Sequence, residues 1–366
     1  MEFQRFPASS IAFLSMGSIL SIIFSMVIIL PLSACFQKCS GNFLVSIVMD
    51  MGISCKHSVR ADHAFPGTLR QRLPGRVPFP ASVSVIIMEF MSRYIADIFS
   101  KCLPARQCNI SAIMCKKAGV DLFPIDIGMA VVTKVPDYKV AYGTRNIALE
   151  PAMSREAAVQ AVMTGVKLAG KAKDEGYQIL ATGEMGIGNT TTSSAIASVF
   201  TGCSPEQMTG RGAGLSTDGL RRKVEAIKKA IAVNRPDKAD ALDVLSKVGG
   251  FDICGMAGIF LGGAYYKIPV VMDGFISAAA ALAAVRMCPA ASGYILASHA
   301  SKEPGMQALL KELDMSAPLC CGMSLGEGTG AVAYLPILEM AAEVYRKMST
   351  FSENKIEDYK ELGEES

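Results

Sequence analysis

Short apolar runs alternate with alanine-rich stretches of helical periodicity from about residue 109 onward. The apolar runs are bounded by glycine, aspartate or proline, which is typical of strands buried on both faces of a sheet. This alternation predicts an α/β fold in which helices cover both faces of a parallel sheet. The predicted strands are 121–129, 178–181, 268–272 and 293–297, and the predicted helices are 154–174, 191–200, 217–233, 277–287, 303–313 and 331–349.

The first 106 residues differ in composition from the rest of the chain. They carry 10 basic and 5 acidic residues, a net charge of +5, whereas the remainder carries 26 and 28, a net charge of −2. Residues 56–80 are rich in arginine and proline and show the period of neither a helix nor a strand. We therefore expect an atypical N-terminal region (1–106), an α/β domain (107–350) and a polar C-terminal tail (351–366).

An uncharged run covers residues 11–34 and is long enough to span a bilayer. Because Arg5 precedes the run and small residues end it, a signal peptide is an equal interpretation, and Cys35 would be the lipidated residue of a bacterial lipoprotein. Gly17 and Pro31 favour a third interpretation, in which the run never inserts into a membrane. All three stay open.

The number and spacing of the cysteines and histidines argue against a zinc site and against a set of structural disulfides. The chain has 11 cysteines and 3 histidines, without a CxxC pair or the histidine spacing of a zinc site. Reduced cysteines in a cytoplasmic protein without a bound metal are the simpler prediction. The net charge of −2 over residues 107–366 does not support a nucleic-acid partner for this larger part of the chain.

Three glycine-rich segments adjoin predicted helices. Parallel sheets bind their ligands at the carboxyl ends of the strands, in the loops that lead from strand to helix, so these segments are candidate binding loops. In the first, residues 183–192, Gly186 and Gly188 allow the backbone to approach a ligand, and the following N–H groups coincide with the positive end of a helix dipole. This favours a phosphate site, with a tight turn as the alternative. Glu184 would repel an anion unless it contacts another part of the ligand.

The other two glycine-rich segments add charged candidates. Residues 210–216 lead into a helix with three adjacent basic residues, Arg221, Arg222 and Lys223. For each of them two interpretations stay open, contact with the same phosphate and exposure to solvent. In residues 325–331, Glu327 stands between two glycines, where it stabilises a helix start or acts as a base in an apolar pocket. A structural role is favoured for His299, since no nucleophile and acid accompany it.

Six segments together resemble the nicotinate-nucleotide–dimethylbenzimidazole phosphoribosyltransferase family. The segments are GEMGIGNTTTSS (183–194), MTGRGAGLS (208–216), LSKVGGFDICGMAGIFLGGA (245–264), VVMDGFIS (270–277), YILASHASKEPG (294–305) and LGEGTGA (325–331). The resemblance extends from about residue 107 to the last predicted helix. It implies a Rossmann-like parallel sheet, a small helical domain, a homodimer and no cofactor.

The resemblance implies transfer of phosphoribosyl from nicotinate mononucleotide to dimethylbenzimidazole, which gives α-ribazole phosphate and nicotinate for the lower ligand of cobalamin. The leaving pyridinium is already cationic, whereas the attacking benzimidazole must lose a proton, so the reaction needs one base. By its motif, Glu327 matches the catalytic base and Glu184 matches a carboxylate near the ribose, the second candidate for that base. The remaining matches bind substrate: Gly186, Ile187, Gly188, Asn189, Gly212, Lys223 and Ser301.

One part of the family pattern is not found. An upstream Asp-His-Gly or Asp-Asn-Gly segment and a glutamine-containing helix help to hold the benzimidazole in the family, and residues 1–106 contain no counterpart. We interpret this as a change of reading frame upstream of residue 107. Three hypotheses remain: an active transferase, a non-catalytic nucleotide- or azole-binding relative, and a membrane-anchored lipoprotein with an enzyme-derived domain.

Overall fold

The computed structural model describes residues 85–92, 110–351 and 353–355, the first of these as backbone only. The uncharged run at 11–34 and Cys35 lie outside the described residues. The compact unit that contains the sheet ends at Tyr334, and residues from Leu335 onward belong to a second unit. No helix in the described part of the chain combines the length and the apolar character needed to cross a bilayer.

A five-stranded sheet forms the centre of the main unit, with the strand order β2-β1-β3-β4-β5. All neighbouring strands are parallel, so their carboxyl ends lie at the same edge. The predicted parallel sheet and its four strands are confirmed. The strands are β1 (Val85–Ser92), β2 (Asp121–Gly128), β3 (Ile179–Met185), β4 (Val270–Met272) and β5 (Ile295–Ala297).

β1 lies in the N-terminal region, for which no strand is predicted from the sequence. It pairs with β2 through Ile86 opposite Asp121 and with β3 through Val85 opposite Ile179. β1 is a short, largely apolar run like the other strands, but it stands in the region 1–106, whose arginine- and proline-rich stretch shows no strand or helix period. The segment 85–92 nevertheless takes part in the sheet.

Helices flank the strands, and the six predicted from the sequence are confirmed with shifted ends. The structure adds α1, α4, α6 and α7. The full set is α1 (Ile110–Ala118), α2 (Arg155–Asp174), α3 (Asn189–Thr201), α4 (Pro205–Met208), α5 (Thr217–Asn234), α6 (Ala241–Val248), α7 (Phe251–Tyr266), α8 (Phe275–Met287), α9 (Met306–Glu312) and α10 (Thr329–Lys347), with a 3₁₀-helix at Pro289–Tyr294.

Helix α7 is the buried core helix, and every residue from Phe251 to Ala264 is buried. It packs on α2 with the two backbones in contact. A Cβ on Gly258 would lie 1.9 Å from the Val162 carbonyl oxygen, and one on Gly165 would lie 2.0 Å from the Gly255 oxygen. A helix buried on all sides lacks the polar stripe that reveals helical period. The equally buried α8 is marked by its alanines, whereas α7 contains four glycines, which disfavour a helix, and is not predicted from the sequence.

Candidate active site

Four chain segments meet at the carboxyl edge of the sheet. They are the loops after β3, β4 and β5, together with the turn that precedes α10. The Glu327 N–H donates to the Glu184 carbonyl oxygen at 3.2 Å, which joins this turn to the end of β3. Asp273 follows β4 directly, and His299 follows β5. Charged side chains from distant parts of the sequence therefore lie together here.

Asp273 fixes the turn before α10. Its buried carboxylate accepts the N–H groups of Gly328 (3.1 Å), Gly330 (2.8 Å) and Ala331 (3.1 Å). These donors belong to the start of a helix, where no carbonyl of the helix itself is available. Burial raises the pKa of the Asp273 carboxyl, while His299 and the three N–H groups act in the opposite direction.

Glu327 has a backbone conformation that side chains rarely adopt. Its φ is 59°, and the flanking Gly326 and Gly328 have φ of 81° and 75°. A non-glycine residue in this region is strained and persists only where surrounding contacts hold it. The bonds from Glu184 and Asp273 to this turn supply that restraint, and strained residues of this kind cluster at active sites.

The Glu327 carboxylate is half-buried and accepts a hydrogen bond from Ser111 Oγ at 3.1 Å. Ser111 Oγ also contacts the Glu327 carbonyl oxygen at 2.8 Å. Burial is the main cause that raises the pKa of Glu327, the charge of Asp273 raises it further, and the Ser111 hydrogen bond lowers it. A carboxylate of raised pKa at a strained turn has the properties of a general base.

Gly183 lets β3 approach this turn. A Cβ on Gly183 would lie 2.8 Å from the Gly328 nitrogen and 2.9 Å from the Glu327 carbonyl carbon. These are backbone atoms, which cannot rotate aside as a side chain would. The close approach therefore requires glycine at this position.

We expect Gly183→Ala to lower the free energy of unfolding by about 1–2 kcal/mol, because the added methyl group forces a backbone shift in a packed site. Urea unfolding measures the change. Gly293→Ala is the matched control, since nothing lies within 4 Å of a Cβ there. Equal stability of the two variants would contradict the close packing of β3 against Glu327.

Asn189 connects two carboxylates at the start of α3. Its Nδ2 donates to Glu184 Oε2, and it also donates to Asp252 Oδ2 at 3.2 Å. Glu184 is 8% exposed and Asp252 is fully buried, so both charges depend on such donors. The pairing with Asn189 holds Glu184 in place beside the turn that contains Glu327.

The first glycine-rich segment ends in an open helix start. Gly188 is the N-cap of α3, with φ of 95° and no side chain that caps the helix. A Cβ on Gly188 would meet nothing within 4 Å, and Ile187 is exposed. Gly186 lies in the same loop. Gly188, Asn189 and Thr192 line a pocket at this helix start. A pocket at the N-terminus of a helix has the polarity that favours an anion.

Lys223 is the cation that joins the two glycine-rich loops. Its Nζ donates to Thr190 Oγ1 at 2.9 Å and to the Gly210 carbonyl oxygen at 3.0 Å. Burial lowers the pKa of Lys223, and the charge of Glu303 opposes that change. Gly212, with φ of 53°, lies against Thr190 as well. The neighbouring Arg221 and Arg222 are exposed.

Ser301 and His299 lie on the segment that follows β5. The Ser301 hydroxyl oxygen is buried and has no hydrogen-bond partner among the described residues. The His299 side chain is buried, with Nδ1 at 3.1 Å from Ser298 Oγ and 3.8 Å from Asp273 Oδ1. A structural role for His299 stays a prediction.

Four site residues are not predicted from the sequence. Asp273 and Asp252 lie in matching motifs, and an aspartate directly after a strand or in the first turn of a helix is the signal that could have found them. Glu303 also lies in a matching motif, 294–305, but has no such positional signal, and Ser111 lies outside the six segments. Within residues 110–351 no group of three or more His, Cys, Asp or Glu residues is placed to hold a metal ion.

Comparisons with known proteins give one consistent family. The family model DBI_PRT, described as phosphoribosyltransferase, matches residues 104–356. The nicotinate-nucleotide–dimethylbenzimidazole phosphoribosyltransferase of Clostridium acetobutylicum is 47% identical over 253 residues, which are 68% of this chain and 72% of that protein. The protein of the same name from Acetivibrio thermocellus is 46% identical over 279 residues, 75% of this chain and 80% of its own length.

A solved structure agrees with these sequence relatives. The crystal structure of CobT from Thermus thermophilus aligns with a TM-score of 0.69 and 28% sequence identity. The alignment covers 93% of this chain and 99% of the solved one.

Proposed function

The chain belongs to the nicotinate-nucleotide–dimethylbenzimidazole phosphoribosyltransferase family, and from that premise we propose how its residues carry out the transfer. The substrates are nicotinate mononucleotide and dimethylbenzimidazole, and the products are α-ribazole phosphate and nicotinate, on the route to the lower ligand of cobalamin. The observation that supports this most is the joining of the Glu327 turn to Glu184. The Glu327 N–H donates to the Glu184 carbonyl oxygen, and the Glu184 carboxylate packs against the same turn, where a Cβ on Gly326 would lie 2.8 Å from its Oε1.

The 5′-phosphate of nicotinate mononucleotide binds at the start of α3. The N–H groups that follow Gly188 and the ammonium of Lys223 provide the positive charge. Gly212 allows the second glycine-rich loop to close on the same site, because any side chain there would meet Thr190. Binding the phosphate fixes the ribose at the carboxyl edge of the sheet.

Glu327 acts as the general base. Its carboxylate takes the proton from one nitrogen of dimethylbenzimidazole while the other nitrogen forms a bond to the ribose C1′ carbon. The bond between C1′ and the pyridinium nitrogen breaks, its electron pair neutralises the ring, and nicotinate leaves. Because the leaving group needs no proton, one base is sufficient.

Glu184 stabilises positive charge on the ribose. As the C1′–N bond breaks, the sugar gains the character of an oxocarbenium ion, which a nearby fixed carboxylate favours. Asn189 holds Glu184 in one orientation, so little reorganisation is needed during the reaction. Ser301 has a buried hydroxyl that is available to a substrate atom. A homodimer and a cytoplasmic location also remain proposals.

The test is turnover of the full-length chain with both substrates, followed by chromatographic detection of nicotinate and α-ribazole phosphate. We expect both products in equal amounts and no nicotinate release when the azole is omitted. Folded protein, verified by circular dichroism, that releases no nicotinate with the azole present would reject the transferase in favour of a non-catalytic nucleotide- or azole-binding relative.

A further inference from the structure

A carboxylate, Glu303, lies inside the site that binds the phosphate. Its Oε1 accepts the Gly212 N–H at 3.2 Å. A Cβ on Gly210 would lie 2.1 Å from its Oε2, so the carboxylate is packed directly against the second glycine-rich loop. An acidic side chain at this position is unexpected, because it repels the anion for which the loop provides donors.

The charge of Glu303 acts on Lys223. Burial favours the neutral form of this lysine, and the negative charge of Glu303 favours the charged form. The hydrogen bonds of Lys223 Nζ go to Thr190 and Gly210 rather than to Glu303. The attraction between the two charges therefore acts through space, and Glu303 provides the counter-charge while no phosphate is bound.

The other carboxylate oxygen of Glu303 is poorly satisfied. Oε2 is buried and has no hydrogen-bond partner among the described residues. A buried acceptor without a donor is unfavourable, so the unliganded protein incurs a free-energy cost at this oxygen that is recovered when Glu303 leaves the loop. This arrangement points to a role in which Glu303 gives up its place.

We propose that Glu303 is an internal competitor of the substrate phosphate and thereby sets the affinity of the site for phosphate monoesters. The phosphate takes the Gly212 N–H and the charge of Lys223, both of which Glu303 uses in the unliganded protein. The competition lowers phosphate affinity and speeds release of the phosphorylated product. This inference rests on the proposed function, since it assigns the same loop to the 5′-phosphate.

Binding of inorganic phosphate to the full-length chain, measured by isothermal titration calorimetry, tests the inference without turnover. We expect Glu303→Gln to lower the Kd for phosphate about tenfold, because a like charge beside the bound anion is removed. The KM for nicotinate mononucleotide falls in the same ratio while kcat does not rise. The matched control is Glu225→Gln, which removes an exposed carboxylate from the helix that carries Lys223 and leaves Kd within about twofold.

Unchanged or weaker phosphate binding by Glu303→Gln overturns the inference, as does the absence of phosphate binding by both proteins. Glu303→Ala is the second variant, since it also frees the Gly212 N–H, and it must bind at least as tightly as Glu303→Gln. Adding Lys223→Met to Glu303→Gln must abolish the gain in phosphate affinity. This result would locate the tighter phosphate binding at the Lys223 site. Tighter phosphate binding without azole-dependent turnover would count against the proposed function alone.

Discussion

Replacing Glu327 with glutamine is expected to lower kcat by about 10²–10⁴-fold, the usual contribution of a general base. The amide has nearly the size of the carboxylate, so the turn between Gly326 and Gly328 keeps its packing, yet the amide cannot accept the proton of dimethylbenzimidazole. We expect the KM for nicotinate mononucleotide to change little, because Glu327 does not contact the proposed phosphate site. Initial rates of nicotinate release at saturating substrates measure both constants.

The pH profile identifies Glu327 independently. In the unmodified protein kcat/KM falls as the pH is lowered, since the protonated carboxyl cannot act as a base, and burial raises the pKa of Glu327 above that of an ordinary glutamate. Ser111→Ala moves this acidic limb to higher pH, because the lost hydrogen bond stabilised the ionised form. The Glu327→Gln variant lacks the limb.

Glu150→Gln is a matched control for the Glu327 variant, since it removes a half-exposed carboxylate on the surface. We expect this control to retain full activity. A Glu327→Gln variant with an unchanged rate and an intact acidic limb would exclude Glu327 as the base. Glu184, the other carboxylate of the site, would then be tested by the same substitution.

Asp273→Asn is expected to lower the free energy of unfolding by about 3 kcal/mol. An asparagine oxygen can keep two of the three backbone bonds, those from Gly330 and Ala331, but its NH₂ group then faces the Gly328 N–H. A hydrogen bond to a charged acceptor contributes roughly 1.5–3 kcal/mol, and a buried donor without a partner costs about 1–3 kcal/mol. Chemical denaturation measures the loss.

The same variant is expected to lower kcat, because Gly328 adjoins Glu327 and the strained turn loses its restraint. Asp240→Asn is the matched control. Asp240 caps α6 by accepting the N–H groups of Leu242 and Asp243, and it is partly exposed. Asparagine replaces aspartate well at an N-cap, so the control is expected to cost less than about 1 kcal/mol. Comparable losses in both variants would contradict the assignment of Asp273 as the anchor of the turn.

Local patterns explain which elements of the fold are predictable. The confirmed strands are short apolar runs between glycine, aspartate or proline. Several confirmed helices carry a polar face that reveals their period, and α8, which is buried from Phe275 to Ala284, is marked by its alanines instead. α7 has neither signal, because it is buried from Phe251 to Ala264 and contains four glycines. β1 is an apolar run as well, but it lies in the atypical region 1–106, and only its pairing with β2 and β3 identifies it as part of the sheet.

The site shows the same division. The glycine spacing of the first and third loops and the positions of Glu184 and Glu327 are local features, so the sequence supplies these candidates. Among three adjacent cations, however, residue type and spacing left the choice open, and the family resemblance alone selected Lys223. The structure gives the physical distinction, because Lys223 contacts both glycine-rich loops whereas the two arginines are exposed.

The sequence by itself determined the α/β architecture, the parallel sheet and the family, because periodicity and motif identity are carried by neighbouring residues. The tertiary structure alone decided that Asp273 anchors the turn of Glu327, that Ser111 donates to its carboxylate and that Glu303 enters the anion site. Each of these contacts joins residues far apart along the chain. The hydrogen bonds and the burial of these side chains determine the electrostatics of the site. They form only when folding aligns the carboxyl ends of the strands at one edge of the sheet.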